Sequence, residues 1–160
     1  ALFSTTSGNI SVAGGMCDNL SLDSTSGRID ATDIQAEKAS ADTMSGEITL
    51  KGIFGYIEGD STSGSVKIEA ANVQEVSTDT TSGSIEVVCV DSDLLEKIDA
   101  NSVSGSVRIV LPDETGFKLS YDTVSGSTDN DFAMKNDQYS DGRVSINVDT
   151  VSGSLKILQK

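Results

Sequence analysis

The sequence predicts an all-β fold, a single-stranded parallel β-helix (β-solenoid), on three observations. A Ser-Gly pair recurs eight times, at intervals of 18 to 27 residues. Apolar and polar residues alternate on both sides of each pair, and a Ser or Thr stands three positions before every glycine. Self-similarity at such a period indicates stacked repeats, each too small to be stable alone. We expect about eight turns in a right-handed coil, because parallel crossovers are almost always right-handed, although left-handed helices of similar period exist.

Each Ser-Gly pair is interpreted as the corner of one turn. Glycine either adopts a positive φ or lets the backbone pass where a Cβ would clash, and the small serine can satisfy an amide of the bend. The first copy has Ser7 and Gly8. The structural corners predicted from the other copies are Ser26, Gly27, Ser45, Gly46, Ser63, Gly64, Ser82, Gly83, Ser104, Gly105, Ser125, Gly126, Ser152 and Gly153.

A strand is predicted on each side of every corner. The residues two and four positions after the glycine are apolar in seven of the eight copies, with polar residues between them. Residues seven and five before the glycine form a second alternating pair. A period of two indicates a strand with one buried face. The exceptions are Thr128 and Asn130, in the seventh copy.

We expect one β-helix domain over residues 1–160, with an irregular insertion at 127–148. Within it, residues 132–134 and 144–148 alternate around a polar loop that contains Asp141-Gly142, a pair typical of hairpin turns. These features predict a β-hairpin excursion from the coil near its C-terminal end. The last copy is then expected to close the array without a cap.

The ends of such a coil are exposed strand edges, which favour pairing with another chain. An end-to-end homodimer is therefore one predicted assembly. Because Ala1 falls inside the first repeat, we also expect that the chain has been trimmed from a longer one. A signal peptide or membrane anchor upstream is compatible with that expectation.

The composition narrows the classes of partner. The formal net charge is −14, which argues against nucleic acid, because phosphate binding needs a positive face. The charge serves solubility or attracts cations and basic surfaces. No run of 18 apolar residues is present to span a membrane. Cys17 and Cys89 lie four turns apart, ~19 Å at strand spacing, so we predict two unpaired, mostly buried thiols.

Two columns of residues before each corner could form a surface. Two positions before the glycine, a column of Thr and then Val should face outward, as a contact surface or an ordinary β face. The column four positions before the glycine could bond a backbone N–H two residues on, and Asn101 favours this interpretation over ion binding. That column consists of Ser4, Asp23, Asp42, Asp60, Asp79, Asn101, Asp122 and Asp149.

Nothing in the sequence predicts catalysis or a cofactor. The chain has no His, which removes the commonest general base and most zinc sites. The Ser-Gly pairs lack the strand–turn–helix context of a nucleophilic serine. Oxygen-rich groups suit calcium, so the aspartates of the irregular loop are the weak metal candidates, with a solvated loop as the alternative. These candidates are Asp129, Asp131, Asp137 and Asp141.

Three features carry a resemblance to a known family: the repeated Asp-Thr-x-Ser-Gly-Ser-[Ile/Val]-x-[Ile/Val], the element Val110-Leu111-Pro112 with Phe117-Lys118-Leu119, and the segment 144–157. With these features the chain resembles the bacterial adhesin-like family of β-strand repeats, with a toastrack-type β-helix domain. The resemblance covers nearly the whole chain. It implies an extracytoplasmic protein of the cell surface or envelope, a non-catalytic binding module or rigid scaffold whose partner is a surface protein or glycan. It supplies no catalytic residues.

Two other functions stay open. One is the sensor or scaffold domain of an envelope-stress response system, acting by protein–protein contact. The other, a polysaccharide-active enzyme, would need a groove lined by carboxylates.

Overall fold

The computed structural model describes all residues, Ala1–Lys160, as fourteen β-strands with no helix. No helix is therefore present that could cross a membrane. The strands are β1 Leu2–Thr5, β2 Ile10–Ser24, β3 Ile29–Thr43, β4 Ile48–Ser61, β5 Val66–Ala71, β6 Glu75–Ser82, β7 Ile85–Cys89, β8 Lys97–Ser104, β9 Val107–Leu111, β10 Phe117–Ser125, β11 Thr128–Asn130, β12 Gln138–Tyr139, β13 Val144–Ser152 and β14 Leu155–Gln159.

The strands stack in parallel, with equivalent residues of successive copies side by side. Ile29 of β3 pairs with Ile48 of β4, which pairs with Val66 of β5. The inward side chains merge into one core of 34 buried apolar residues. The prediction of a parallel β-solenoid is confirmed. The coil has about six turns instead of about eight: six copies follow one another in chain order, and the last two stack on them as two further rungs in exchanged order.

The corners are built by glycine packed on glycine. A Cβ placed on Gly83 would lie 2.6 Å from the carbonyl carbon of Gly64, and a Cβ on Gly27 would meet Gly8 in the same way. Positive φ among glycines is confined to Gly14, Gly15, Gly52 and Gly142, none of which is a corner. The corner glycines are therefore needed for the close approach of successive turns and not for an unusual backbone conformation.

The order of the last two copies differs from the order in the chain. Strand β13 lies between β8 and β10, parallel to both, and β14 lies between β9 and β11. The eighth copy is thus inserted between the sixth and the seventh. Its inward residues, such as Ile146 and Ile157, are fully buried, whereas Thr128 and Asn130 of the seventh copy remain accessible.

The predicted hairpin is wrong in its details. Residues 144–148 belong to the coil as part of β13 and do not pair with 132–134. Antiparallel pairing is limited to β12 on β10 and to one bridge between Lys135 and Gln138. The hydrophobic effect explains the difference, because Val144, Ile146 and Val148 are completely buried only when strands flank them on both sides.

The C-terminal end of the coil is capped in part, contrary to expectation. Phe117, Phe132 and Tyr139 form an aromatic cluster whose ring centroids lie 4.8 to 5.9 Å apart. Together with β12, this cluster covers the start of β10, at Phe117 and Lys118. The outer edge of β11 and, at the other end of the coil, that of β1 are free. Pairing of two copies stays a prediction, and so does the handedness of the coil.

The two thiols are unpaired, as predicted, with Cys17 half-buried and Cys89 buried. Burial, reinforced by the nearby Asp91 carboxylate, raises the pKa of the Cys89 thiol to about 12. Because the thiolate is the reactive form, we expect Cys89 to be inert while the protein is folded.

A substitution at one corner tests the glycine stack. Gly83→Ala should lower the free energy of unfolding by about 1–3 kcal/mol, because the new methyl group overlaps the backbone of the neighbouring turn. Gly8→Ala is the matched control, since a Cβ there meets only the side chain of Thr5. Urea denaturation followed by circular dichroism measures both variants. Equal losses in the two variants would contradict the proposed packing.

Candidate binding groove

One groove runs along the side of the coil and is built by the repeat itself. It has a volume of about 1050 Å³. Its lining consists of the residues four, three and two positions before the corner glycine in seven copies, with Ser4 and Thr5 from the first copy. We call it the corner groove. Residues four and two before the glycine are both on the outer face of one strand, because strand side chains alternate with a period of two.

The acidic column forms one file along the corner groove. Asp23 pairs in register with Asp42, Asp42 with Asp60, and Asp60 with Asp79. Parallel neighbours lie about 4.8 Å apart, so Asp42 and Asp60 each have a like charge on both sides. In spatial order, the complete file is Ser4, Asp23, Asp42, Asp60, Asp79, Asn101, Asp149 and Asp122.

This stacking changes the protonation of two aspartates. Partial burial, and then the charges of Asp42, Asp79 and Glu58, raise the pKa of Asp60 to about 6. The pKa of Asp42 is also raised, mainly by burial and then by the charge of Asp23. At neutral pH the carboxylates in the middle of the file are therefore ionised although they repel one another.

The acidic column does not cap the bends, contrary to the sequence interpretation. None of its carboxylates accepts a backbone N–H bond. The Ser and Thr residues three positions before the glycine form the side-chain hydrogen bonds at the corner. For example, the hydroxyl of Ser24 donates to the carbonyl of Gly8 at 3.2 Å. Asn101 instead donates a hydrogen bond from Nδ2 to Oδ1 of Asp79 at 2.8 Å. Because its amide is uncharged, it does not neutralise this carboxylate. The same hydroxyl-to-glycine bond is made by Thr43, Ser61, Thr80 and Ser102.

Seven acidic side chains outside the corner groove have basic partners. Glu47 pairs with Arg28 at 3.2 Å and with Lys67 at 2.7 Å, and Lys156 pairs with Asp129 at 3.3 Å. No ion pair of the structure involves a groove aspartate, and no Lys or Arg lines the groove. All the ion pairs of the surface therefore lie outside the corner groove, and this file is without a counter-charge.

The other outward column makes one end of the corner groove apolar. Val103, Val151 and Val124 lie on three successive rungs and are 49%, 50% and 83% exposed. Threonines and Met44 hold the same position on the preceding rungs. The insertion of β13 between β8 and β10 places Val151 between Val103 and Val124. The groove therefore combines an acidic file with an apolar patch at its C-terminal end.

The four metal candidates of the irregular loop have separate surroundings. Asp129 is paired with Lys156, Asp131 accepts the backbone N–H of Gln159 at 3.5 Å, and Asp141 accepts that of Arg143 at 3.1 Å. Asp137 has a φ of 59°, and its carbonyl oxygen accepts the N–H of Leu119. The structure brings together no group of three or more His, Cys, Asp or Glu side chains suited to a metal ion.

The predicted corner serines lie beside the glycine file, where some bond to the next turn. The hydroxyl of Ser26 donates to the carbonyl of Thr6 at 3.4 Å, and that of Ser63 to the carbonyl of Met44 at 3.3 Å.

The sequence pattern identified both columns of the groove but did not connect them. The signal that could have joined them is their spacing of two residues, which places both side chains on one strand face.

The raised pKa of Asp60 predicts a change of stability with pH. Because the folded state binds this proton more tightly than the unfolded state, the stabilisation is complete below about pH 4 and is lost as the pH rises through about 6. Asp60→Asn should therefore raise the free energy of unfolding at pH 7.5, with little gain at pH 4. Asp149→Asn, in the exposed part of the same file, is the control. Urea denaturation at both pH values measures the effect, and an equal gain for Asp60→Asn at both pH values would contradict it.

The fold and this geometry can now be compared with those of known proteins. No curated protein matches the chain. Among solved structures it is similar to a putative cell adhesion protein from Clostridium sporogenes ATCC 15579, with 16% identity, a TM-score of 0.51, and coverage of 97% of this chain and 92% of that one. At this identity the likeness concerns the fold alone. The Toastrack DUF4097 family matches residues 2–158, and the chain therefore belongs to that family.

Proposed function

We propose that this protein is a non-catalytic binding module of the bacterial cell surface and that the corner groove is its binding face. The family and the similar solved structure, a putative cell adhesion protein, support a binding or scaffold role. The observation that carries the proposal is the groove itself. Copies spread over the whole chain contribute the same positions to one continuous surface, and every ion pair of the protein lies outside it.

The chemistry of the corner groove favours an extended cationic ligand. Its lining contains six aspartates and no basic residue, so a bound cation would supply the missing counter-charge. Eight rungs at about 4.8 Å span roughly 34 Å, the length of about ten residues in extended conformation. The carboxylates stand in single file and do not converge, which suits a chain of spaced charges better than one metal ion. A basic polypeptide segment of a surface protein fits these requirements.

The chemistry of the chain also supports a role without catalysis. The sequence contains no His, and the corner serines that form hydrogen bonds donate to main-chain carbonyls of the neighbouring turn. A hydroxyl in such a bond has no general base beside it to activate it as a nucleophile. The groove carboxylates lack the basic groups that would accompany them in a site for an acidic polysaccharide.

Calorimetric titration with decalysine tests the proposed ligand class. Wild-type protein should bind decalysine, and the affinity should fall as salt is raised because the interaction is between charges. Decaglutamate should not bind. Spermine, a short polycation, should bind more weakly than decalysine because it reaches fewer rungs. Failure to bind decalysine, or equal affinity for spermine, would overturn the proposal of an extended polypeptide ligand.

A pair of charge-matched variants tests the location. The groove triple variant Asp23→Asn, Asp42→Asn, Asp60→Asn should weaken decalysine binding at least about ten-fold, since it removes three adjacent charges of the file. The control triple Glu37→Gln, Asp113→Asn, Glu114→Gln changes the net charge equally at exposed positions outside the groove. The control should bind nearly as the wild type does. Equal weakening in both triples would show attraction by net charge and contradict a site in the groove.

A further inference from the structure

We propose that residues 144–160 form a closing rung, which joins the coil together with residues 117–130 in the last step of folding and opens with them as one unit. This inference concerns the free protein and does not rest on the proposed binding function. It starts from the exchanged order of the last two copies, which nothing in the repeat pattern requires.

Strand pairing makes the outermost rung depend on the closing rung. Toward the coil, β10 pairs with β13 and β11 pairs with β14; the other partner of β10 is β12, in the cap. Strands β10 and β11 have no pairing with β8 or β9. If β13 and β14 leave the sheet, the outermost rung therefore loses every ladder that joins it to the coil.

The closing rung is also farther in sequence from its neighbour in the coil than a regular rung is. Regular neighbours such as Ile29 and Ile48 are one repeat apart, whereas Asn147 bonds to Asp99, 48 residues earlier, through Nδ2 and Oδ1 at 2.8 Å. Strand β10 has no ladder to the coil until β13 pairs with β8. The coil up to β9 can form from local contacts, which fold fastest, but the last two rungs can only complete it together.

Polarity explains why the copies are exchanged. An internal rung is covered on both sides, so its inward residues are removed from water, while an end rung is covered on one side. Leu155 and Ile157 of the eighth copy are fully buried, whereas the corresponding Thr128 and Asn130 of the seventh copy are at the end. Stacking in chain order would place Asn130 in the core between two apolar rungs, where an amide without partners is unfavourable.

An arginine bridge ties the start of the closing rung to the coil. The Arg143 guanidinium donates to the carbonyl oxygens of Ser92 at 2.7 Å and Asp93 at 2.8 Å, just before β8. The N–H of Ser145 adds a bond to the carbonyl of Glu96 at 2.9 Å. These contacts hold β13 next to β8 and make Arg143 the side chain through which the opening can be changed.

Closure has a consequence for the surface. Val151 lies between Val103 and Val124 only while β13 is inserted. The apolar end of the corner groove is therefore assembled by the closing rung and is lost when that rung opens.

Hydrogen exchange of the full-length chain tests the inference. Amides of residues 117–130 and 144–159 should exchange at matching protection factors, lower than those of residues 29–89. Arg143→Met should accelerate exchange about five-fold in both segments and leave residues 29–89 unchanged. Arg28→Met, which removes an arginine paired with Glu47 far from the closing rung, should accelerate neither segment. Greater protection of 117–130 than of 144–159, or uniform acceleration along the chain by Arg143→Met, would overturn the proposal.

Engineered disulfides give an independent measurement, in a background of Cys17→Ser and Cys89→Ala. The double variant Val103→Cys, Val151→Cys should form a disulfide, because the two residues lie on adjacent strands. This disulfide should slow hydrogen exchange in residues 117–130 about ten-fold by holding the closing rung in place. Val103→Cys with Val124→Cys should stay reduced, since two rungs separate these residues by about 9.6 Å. A disulfide between positions 103 and 124 in the monomer, or unchanged exchange in 117–130 when positions 103 and 151 are joined, would refute the closing rung.

Discussion

The structure depends on the close contact of glycine with glycine at the corner of every turn. The carbonyl of one corner glycine occupies the space where the next glycine would carry a Cβ. This contact sets how closely the turns approach and keeps the copies in register. Once the register is set, inward side chains lie over equivalent side chains, and the hydroxyl groups of residues such as Ser24 reach the glycine carbonyl of the neighbouring turn. The coil is thus stabilised by many equivalent contacts between neighbours and not by one central cluster.

Strict register favours apolar columns and disfavours charged ones. Ile29 over Ile48 excludes water from both side chains. Asp42 over Asp60 instead places two like charges next to each other, and partial burial together with that repulsion raises the pKa of Asp60. On other faces the protein alternates signs, as in the pairs made by Glu47. A file of uncompensated carboxylates is unfavourable for stability alone. Such local costs are expected where a surface serves function, which agrees with the role proposed for the corner groove.

The two ends of the coil are treated differently. At the C-terminal end, the aromatic cluster of Phe117, Phe132 and Tyr139 covers the start of the last rung, and the hydroxyl of Tyr121 donates to the carbonyl of Gly153 at 2.9 Å. This bond takes the place of the one that Thr123, the equivalent of Ser24 on this rung, would donate. At the N-terminal end, β1 retains an unpaired edge. An edge of this kind is where a β-sheet can accept another strand.

The sequence by itself determined the repeat unit, the parallel solenoid, the corners and the inward columns, because these follow from local periodicity that every copy restates. It also identified both columns of the corner groove. Only the tertiary structure decided the spatial order of the copies, the partial cap and the surroundings of the acidic column. The reason is that burial depends on which rung lies next to which, a long-range property: Thr128 and Asn130 marked the seventh copy as unusual, but only their position at the end of the stack, with Leu155 and Ile157 inserted before them, shows why polar residues stand there.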